Sequence, residues 1–412
     1  MSMLDIYRAL ELGDEKSLLC GKHLADLGMD VIRVEPPCGD KVRNTGPFYH
    51  DIPDSEKSLF WFAYNTNKRG ITLNLESATG RKLFKNLVEK VDVVIESFPP
   101  GYMKKLGLGY GSLRRINPKL IMVSITPFGQ DGPYKNHKTA DIVNMALGGF
   151  MFLTGDLDRP PLRVSFPQSS FFAGSEAASA VSLALYHRTR TGEGQYIDVS
   201  MQQALVWTGM TSRPAWDLYH TLIKRAGPYR QFATGTRQQQ TWQCKDGYVA
   251  LVYFTGRAGI QSQKALVEWM RSEGMSDEYV DNVDWETFDM VTTPQDFYDR
   301  VDSVVAVFFK TKTKKELYDG ALKRRIMLNP VTDAKDLLES SQLKERDFWV
   351  ELEHPELGQK FHYPGPFVKA SGTPIQVKRR APLIGEHNEE VYMKELGFSR
   401  KEFLLLHESG TI

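Results

Sequence analysis

The chain has 412 residues, more than a single hydrophobic core usually holds, so we expect two domains or one interrupted domain. Hydrophobic residues make up 41% of it and charged residues 25%, which is ordinary for a globular protein. The 52 Lys and Arg side chains nearly balance the 51 Asp and Glu side chains, which argues against a dedicated nucleic-acid or membrane surface.

The sequence also predicts where the protein works. It opens without the basic and apolar regions of a secretory leader, and no apolar run approaches the roughly 20 residues of a membrane helix. Cys20, Cys38 and Cys244 are widely spaced and form no metal-ligand pattern with the histidines. We therefore expect a cytoplasmic protein with reduced thiols and no metal site.

Strands alternate with helices in the first half of the chain. Apolar residues at helical spacing predict a helix over 18–28 that Gly28 closes, and a β-branched run predicts a strand over 31–36. This alternation predicts right-handed βαβ units, a parallel sheet and a Rossmann-like domain. The further predicted elements are strand 71–75, helix 77–90, strands 93–96 and 120–125, a small-residue helix over 171–189 and strand 196–201.

The pattern changes after about residue 222. A turn at 245–247 is flanked by strands 241–244 and 248–252, and amphipathic helices are predicted near 262–274 and 313–325. The fold class is α/β, with a large Rossmann-like domain built from both chain ends and a smaller α+β domain. We assign 1–222 to the N-terminal part of the large domain, 223–330 to the small domain, and 331–412 to a segment that returns to the large domain through strands near 348–353 and 359–362 and a final helix near 387–396.

Two features resemble parts of a dinucleotide-binding site, but each lacks a neighbouring element that such a site requires. Gly107, Gly109 and Gly111 form a glycine-rich stretch, but it does not directly follow a strand. Glu35 ends a strand, as a ribose-binding acid would, yet the first βα turn lacks the G-x-G-x-x-G pattern. We predict an ordinary loop at the glycines and no NAD site.

A set of seven segments is more informative than any single motif. In order and spacing the set resembles the class III CoA-transferase family, which includes formyl-CoA transferase, carnitine CoA-transferase and α-methylacyl-CoA racemase. The resemblance implies a dimer of two interlocked rings, with CoA and acyl-CoA as substrates and no tightly bound cofactor. It covers almost the whole chain, is weakest across 202–330, and is carried by residues 25–37, 65–75, 92–101, 105–109, 125–134, 191–201 and 381–387.

The same resemblance implies a CoA site on this chain. Cationic side chains suit the phosphates of CoA through charge-assisted hydrogen bonds. One departure concerns Pro36, which stands where the family usually has an arginine. The matching positions are Leu73 and Asn74 for the nucleotide, Ser97, Phe98 and Pro99 for the phosphate loop, Lys105 for a phosphate contact, and Lys138 and Asp141 for the pantetheine stretch.

Ser170 occupies the position that the resemblance assigns to the nucleophile. The family carries an aspartate there, four residues before the glycine that corresponds to Gly174, and the register runs without a gap to Gln195. The family's carboxylate forms a mixed anhydride and then an aspartyl-CoA thioester, whereas a serine ester is not readily converted to a thioester and its hydroxyl needs a base. Glu176 lies about 240° around the helix from it and points elsewhere. We expect no catalytic residue on this chain.

A second departure agrees with the first. Residues 233–240 align with the mobile glycine-rich loop of some members but contain a single glycine. We therefore predict a heteromeric transferase in which a homologous partner subunit carries the catalytic aspartate and the substrates are an acyl-CoA and a carboxylic acid. Segments 58–65, 165–170 and 325–328 resemble members that transfer CoA from succinyl-CoA to (R)-benzylsuccinate in anaerobic toluene degradation. Four aromatic residues would suit an aryl substrate, or equally a core or an interface: Trp207, Trp216, Tyr219 and Trp242.

Two other functions stay open from the sequence. One is a homodimeric transferase, racemase or dehydratase in which another carboxylate, such as that of Asp141, takes over. The other is a non-catalytic CoA-binding scaffold.

Overall fold

The computed structural model describes residues 2–209, 212–232 and 234–412. These residues form two compact units. The first comprises the chain up to Gly148, Phe166–Trp207 and Ser341–Ile412, and so draws on both chain ends as expected. The second comprises Gly149–Ser165 and Thr208–Ser340. The two units change over at residues 148, 165, 207 and 340. The predicted domain limits at residues 222 and 330 remain a prediction.

A six-stranded parallel sheet forms the centre of the first unit. Its strand order is β3-β2-β1-β4-β5-β6, so the chain builds outward from β1 to β3, returns to β4 beside β1, and builds outward again to β6. This confirms the predicted Rossmann-like sheet. The strands are β1 (Arg8–Glu11), β2 (Asp30–Glu35), β3 (Arg69–Thr72), β4 (Val93–Glu96), β5 (Ile121–Thr126) and β6 (Tyr196–Ser200).

The helices vary widely in length, and the longest is the small-residue helix α8. Short 3₁₀ helices lie at Lys41–Asn44, Tyr49–Asp51 and Pro355–Leu357, and a π-helix at Glu389–Glu395. The α-helices are α1 (Glu15–Asp26), α2 (Leu59–Tyr64), α3 (Ala78–Val88), α4 (Tyr102–Lys105), α5 (Tyr110–Leu113), α6 (Asp141–Leu147), α7 (Phe150–Leu153), α8 (Ser169–Thr191), α9 (Met201–Thr208), α10 (Ser212–Tyr219), α11 (Arg257–Ser272), α12 (Glu278–Asp281), α13 (Gln295–Lys310), α14 (Lys314–Arg324), α15 (Ala334–Glu339), α16 (Ser341–Glu345) and α17 (Arg400–Glu408).

Each face of the six-stranded sheet carries its own apolar core. Helices α3, α4, α5 and α17 cover one face, where Phe84 and Leu113 are fully buried. Helices α1 and α8 cover the other face, where Leu24 and Ala177 are fully buried. Because β4 and β5 are buried on both sides, their sequences are nearly continuous apolar runs.

The second unit has a separate core of aromatic and aliphatic residues. Its three-stranded sheet confirms the predicted hairpin, since Cys244 of β9 lies opposite Gly247 of β10. Trp242 is fully buried there, with its indole Nε1 donating to the carbonyl of Leu251 at 3.2 Å. The remaining strands are β7 (Tyr229–Gln231), β8 (Arg237–Gln239), β9 (Thr241–Cys244), β10 (Gly247–Leu251) and β11 (Leu328–Pro330), with the antiparallel pair β12 (Trp349–His354) and β13 (Gln359–Pro364) in the first unit.

Two predictions of local structure need correction. The sequence pattern does not reveal β1, because a strand of four residues that begins with Arg8 and ends with Glu11 has no apolar run. The segment predicted as the final helix, 387–396, does contain a helix, a π-helix at Glu389–Glu395, but the last helix is α17. Ser399 and Glu402 form a capping box at the start of α17, a signal that the sequence does contain. No helix within the described residues is long and apolar enough to cross a bilayer.

Candidate functional site

The carboxyl ends of the parallel strands meet at one edge of the sheet, and ligands of such folds bind where the strand order reverses. Here the strand order reverses between β1 and β4, and hydrogen bonds join the loops that follow these two strands. The Ser97 hydroxyl accepts a hydrogen bond from the Asp14 backbone N–H at 2.9 Å and donates one to the Asp14 carboxylate at 2.9 Å. A β-carbon on Gly13 would lie 2.3 Å from Ser97 Oγ, so this approach requires glycine at that position.

The structure places the predicted nucleotide contacts at the same edge, but it buries several of their side chains. Leu73 is 2% exposed and belongs to the core, and the Ser97 hydroxyl is already hydrogen-bonded to Asp14. The Asn74 backbone N–H donates to the carbonyl of Thr411 at 2.8 Å. The loops after β3 and β4 are three strand spacings apart, about 14 Å. A ligand that binds across this edge would therefore contact mainly the backbone groups of Leu73 and Ser97.

The remaining predicted CoA contacts are more accessible. Lys105 at the end of α4 and Lys138 in the loop before α6 are exposed, and neither forms an ion pair with any described residue. The ring of Phe98 packs on Tyr102 with centroids 4.7 Å apart, and Pro99 lines a cavity. The loop after β4 thus brings Ser97, Phe98 and Pro99 together, whereas the two lysines reach the region from separate elements.

A buried ionic cluster lies beneath this edge. The carboxylate of Glu11 at the end of β1 lies 2.7 Å from Lys68 Nζ and 3.8 Å from Arg33, and all three side chains are fully buried. Burial lowers the pKa of Lys68 to about 8, and its ammonium also donates to the carbonyl of Leu18 at 2.9 Å and to Asn65 at 3.0 Å. These bonds fix α1 and α2 against the sheet, which is a structural task.

Ser170 lies in the first turn of α8 and is 5% exposed. Its hydroxyl forms no hydrogen bond to a histidine, a carboxylate or a lysine among the described residues. A serine hydroxyl without an adjacent base is a poor nucleophile at neutral pH. The structure therefore contains no activated serine at this position.

Asp141 caps the start of α8 from a distance in sequence. One oxygen, Oδ1, accepts hydrogen bonds from the backbone N–H groups of Gln168 and Ser169, each at 2.9 Å, and from the Ser169 hydroxyl at 2.7 Å. The other oxygen, Oδ2, is buried without a hydrogen-bond partner among the described residues. Since the first N–H groups of a helix have no partner within it, this carboxylate completes the start of α8.

Close packing fixes the orientation of α8. A β-carbon on Gly174 would lie 3.0 Å from Leu19 Cβ and 3.2 Å from the Cys20 backbone nitrogen of α1. Phe171 stacks on Tyr64 with ring centroids 4.9 Å apart. The half-buried Glu176, whose pKa is raised by burial, makes no hydrogen bond to Ser170.

Hydrogen bonds join residues 234–240, the predicted counterpart of the family's glycine-rich loop, to α13 and to the residues just before it. Ala233 lies outside the described residues, and the description begins again at Thr234, whose hydroxyl donates to the carbonyl of Val291 at 3.1 Å. The Arg237 backbone N–H donates to the Gln295 side chain at 2.8 Å. Gln238 is fully buried.

Sequence reasoning missed a cavity of about 730 Å³ beside the end of β4, the middle of β5 and the start of β6. Glu96 ends β4 there and is 4% exposed. Its carboxylate accepts hydrogen bonds from the Phe98 backbone N–H at 2.8 Å and from the Ser124 hydroxyl, which in turn accepts from the Tyr196 hydroxyl at 2.8 Å. Burial raises the pKa of Glu96 to about 7. The available signal was an acidic residue at the end of an otherwise apolar strand.

The four aromatic residues that the sequence offered for an aryl substrate do not lie in one environment. Trp207, Trp216 and Tyr219 are 65%, 49% and 66% exposed, whereas Trp242 belongs to the core of the second unit. Exposed rings of this size are available to a ligand or to another chain.

Sequence comparison identifies the class of protein to which this Rossmann-like chain belongs. The profile of CoA-transferase family III matches residues 16–388, so the chain belongs to that family. One relative is the succinyl-CoA:(R)-benzylsuccinate CoA-transferase subunit BbsE of Thauera aromatica, 33% identical over 98% of this chain and 97% of the relative. Another is the formyl-CoA:oxalate CoA-transferase of Streptomyces avermitilis, 31% identical over 94% of each chain. Among solved structures, a CAIB/BAIF family protein from Brucella suis matches with a TM-score of 0.79 and 27% identity, covering 95% of this chain and 99% of that one.

Proposed function

We propose that this chain is the non-nucleophilic subunit of a cytoplasmic, heteromeric class III CoA-transferase, and that a homologous partner supplies the catalytic aspartate. The observation that carries the proposal is the state of Ser170. It stands at the position that the family uses for its nucleophile, and its hydroxyl has no hydrogen-bonded base within the described residues.

The chemistry of CoA transfer explains why a serine does not replace the aspartate. A carboxylate that attacks a thioester carbonyl expels CoA as a thiolate and forms an anhydride, which the thiolate can then attack to form a new thioester. A serine hydroxyl must first lose its proton to a base, and the ester that it forms is a much poorer acceptor for a thiolate. The acyl group would therefore be held as a dead-end ester.

Asp141 is a weak substitute for the missing nucleophile. Its Oδ1 already accepts three hydrogen bonds from Gln168 and Ser169, and such bonds hold a carboxylate in place and reduce its nucleophilicity. In our proposal Asp141 orients the start of α8 beside the pantetheine of CoA. A homodimeric enzyme that uses Asp141 is the alternative, and it would have to attack through the buried Oδ2, which has no hydrogen-bond partner among the described residues.

For the substrates we propose succinyl-CoA as the CoA donor and (R)-benzylsuccinate as the acceptor. This rests on the three sequence segments and on the similarity to BbsE, which is described as a subunit of an enzyme with those substrates. The assembly is an interlocked dimer of unequal chains, and the exposed Trp207, Trp216 and Tyr219 face either the partner chain or the aryl group. On this chain, CoA would contact the predicted positions Leu73, Asn74, Ser97, Phe98, Pro99, Lys105, Lys138 and Asp141.

The proposal is tested by comparing the chain alone with the chain co-expressed with a homologue that carries aspartate at the position of Ser170. Both preparations are assayed for transfer of CoA from succinyl-CoA to (R)-benzylsuccinate, and hydroxylamine traps any acyl adduct for peptide mass spectrometry. We expect turnover only in the co-expressed preparation, with the hydroxamate on the partner's aspartate.

Each other outcome has a definite reading. Turnover and a trapped adduct on this chain alone contradict the heteromer and favour the homodimeric alternative. CoA binding without turnover in either preparation favours a non-catalytic scaffold. Turnover of the pair with other acids, but not with (R)-benzylsuccinate, contradicts the substrate assignment alone.

A further inference from the structure

The cavity beside β4, β5 and β6 has the charge of an anion site. Its lining includes three cationic side chains, Lys104, Arg115 and Lys135, against the single carboxyl group of Glu96. All three cations are exposed, and none has an ion-pair partner among the described residues. Arg115 donates only to the backbone carbonyl of Gly111, at 3.2 Å, so most of its guanidinium donors remain available.

A buried donor in the same lining is also unused. Gln130 lines the cavity, and its Nε2 amide is buried without a hydrogen-bond partner among the described residues. A buried amide donor that lacks a partner costs about 1–3 kcal/mol, so such groups usually have a ligand or an ordered water. At the floor, the oxygens of Glu96 are already used as acceptors by Phe98 and Ser124. Among the described residues, the one buried side-chain atom of the lining that lacks a partner is therefore a donor.

From these two observations we propose that the cavity is a phosphate-binding site, in which Arg115, Lys104, Lys135 and the Gln130 amide hold a phosphate group. Arginine binds phosphate oxygens in pairs through its planar donors, and lysine adds point charge. Only Pro99 is shared with the CoA contacts predicted from sequence, so the cavity is a separate set of side chains. Its phosphate comes either from solution or from a phosphate group of CoA. The second source rests on the proposed function, whereas the first does not.

The experiment measures binding of inorganic phosphate to the full chain by isothermal titration calorimetry, in a buffer free of other multivalent anions. We expect saturable binding by the wild-type chain and at least a tenfold loss of affinity in R115Q/K135Q. The matched control R114Q/K119Q removes the same charge from two exposed residues that do not line the cavity, and its affinity should stay within twofold of wild type. Equal loss in both double variants, or no phosphate binding by the wild-type chain, would overturn the proposal.

A second variant and two competitors complete the test. Q130M removes the amide donor at nearly constant side-chain length, and we expect it to weaken phosphate binding at least threefold, while unchanged binding counts against the site. Displacement of phosphate by CoA but not by 3′-dephospho-CoA would assign the site to the 3′-phosphate of CoA. Absence of displacement by either would support a site for free phosphate. Because these titrations need no turnover, the site can fail while the transferase proposal stands, and the reverse also holds.

Discussion

The carboxylate of Asp141 lies 2.7 Å from the hydroxyl of Ser169, the residue that directly precedes the predicted nucleophile position, Ser170. The same carboxylate oxygen accepts the Ser169 backbone N–H at 2.9 Å. The acid that the sequence offered as a replacement nucleophile is thus occupied in building the first turn of α8. Holding the start of this helix is the role of Asp141 that the structure shows.

Replacing Ser170 tests whether its hydroxyl contributes to transfer. In the co-expressed pair we expect S170A to retain activity within about twofold, because among the described residues the hydroxyl has no adjacent base and no hydrogen bond to lose. Replacement of the partner's aspartate by alanine should lower kcat by several orders of magnitude. Steady-state kinetics of the three preparations measure this, and a large loss of kcat in S170A would place Ser170 in the chemistry.

Removing the cap of α8 should loosen that helix locally. D141A deletes the acceptor of three hydrogen bonds, and loss of such a cap costs about 1–2 kcal/mol. We expect amide hydrogen exchange in peptides covering residues 167–172 to become about tenfold faster, since 1.4 kcal/mol corresponds to a factor of ten. D131A is the control, because Asp131 is exposed and caps no helix. Unchanged exchange in D141A would show that the cap contributes little.

The raised pKa of Glu96 predicts a pH dependence of stability. The groups facing this carboxyl are Ser124 and Tyr196 of the neighbouring strands and Asp14 and Lys16 at the start of α1. Because the folded pKa of about 7 exceeds the ordinary value of 4.5, folding favours the protonated form. Its stabilising contribution is complete below pH 4.5 and is lost as the pH rises through 7, a change of about 3 kcal/mol.

The variant E96Q isolates this contribution. A glutamine can accept from Phe98 and donate to Ser124, as the protonated acid does, and it does not ionise. Between pH 4.5 and 8 we expect the wild-type protein to lose stability relative to E96Q, measured as the difference of their unfolding midpoints in denaturant. A difference that does not vary with pH would show that Glu96 titrates normally.

The buried pair of Glu11 and Lys68 predicts strong coupling between two substitutions. K68M leaves the Glu11 carboxylate buried beside Arg33 alone, at 3.8 Å, and should destabilise the fold by about 3 kcal/mol. The double variant E11Q/K68M removes both charges and should recover part of that loss. Denaturant unfolding measures both, with K264M as a control at an exposed ion pair, where we expect less than 1 kcal/mol. Additive effects would contradict the coupling.

The sequence predicted the elements that have strong apolar patterns. Strand β4 was predicted with its observed limits, and the helix carrying Gly174 within two residues at each end, because long apolar or small-residue runs constrain local structure. Strand β1 was missed although it lies near the centre of the sheet, since its pairing with β2 and β4 comes from tertiary contacts and not from its own four residues.

The site shows the same limit more clearly. Ser170 could be located by counting from Gly174, but the role of Asp141 could not, because the cap spans 27 residues and depends on how α6 approaches α8. The cavity around Glu96 joins residues from three strands and from the segments that follow β4 and β5, and only folding brings them together. Its acidic strand end was visible in the sequence, whereas its cationic lining was not.

The close approach of Gly174 to Leu19 and Cys20 has a consequence for the history of position 170. A β-carbon at that contact would be tighter than ordinary packing, so α8 lies close against α1. The contact does not involve the side chain at position 170, so it does not depend on which residue stands there. A gene that exchanged a carboxylate for a hydroxyl there would keep its architecture, so the reactive group and the framework around it can be inherited independently.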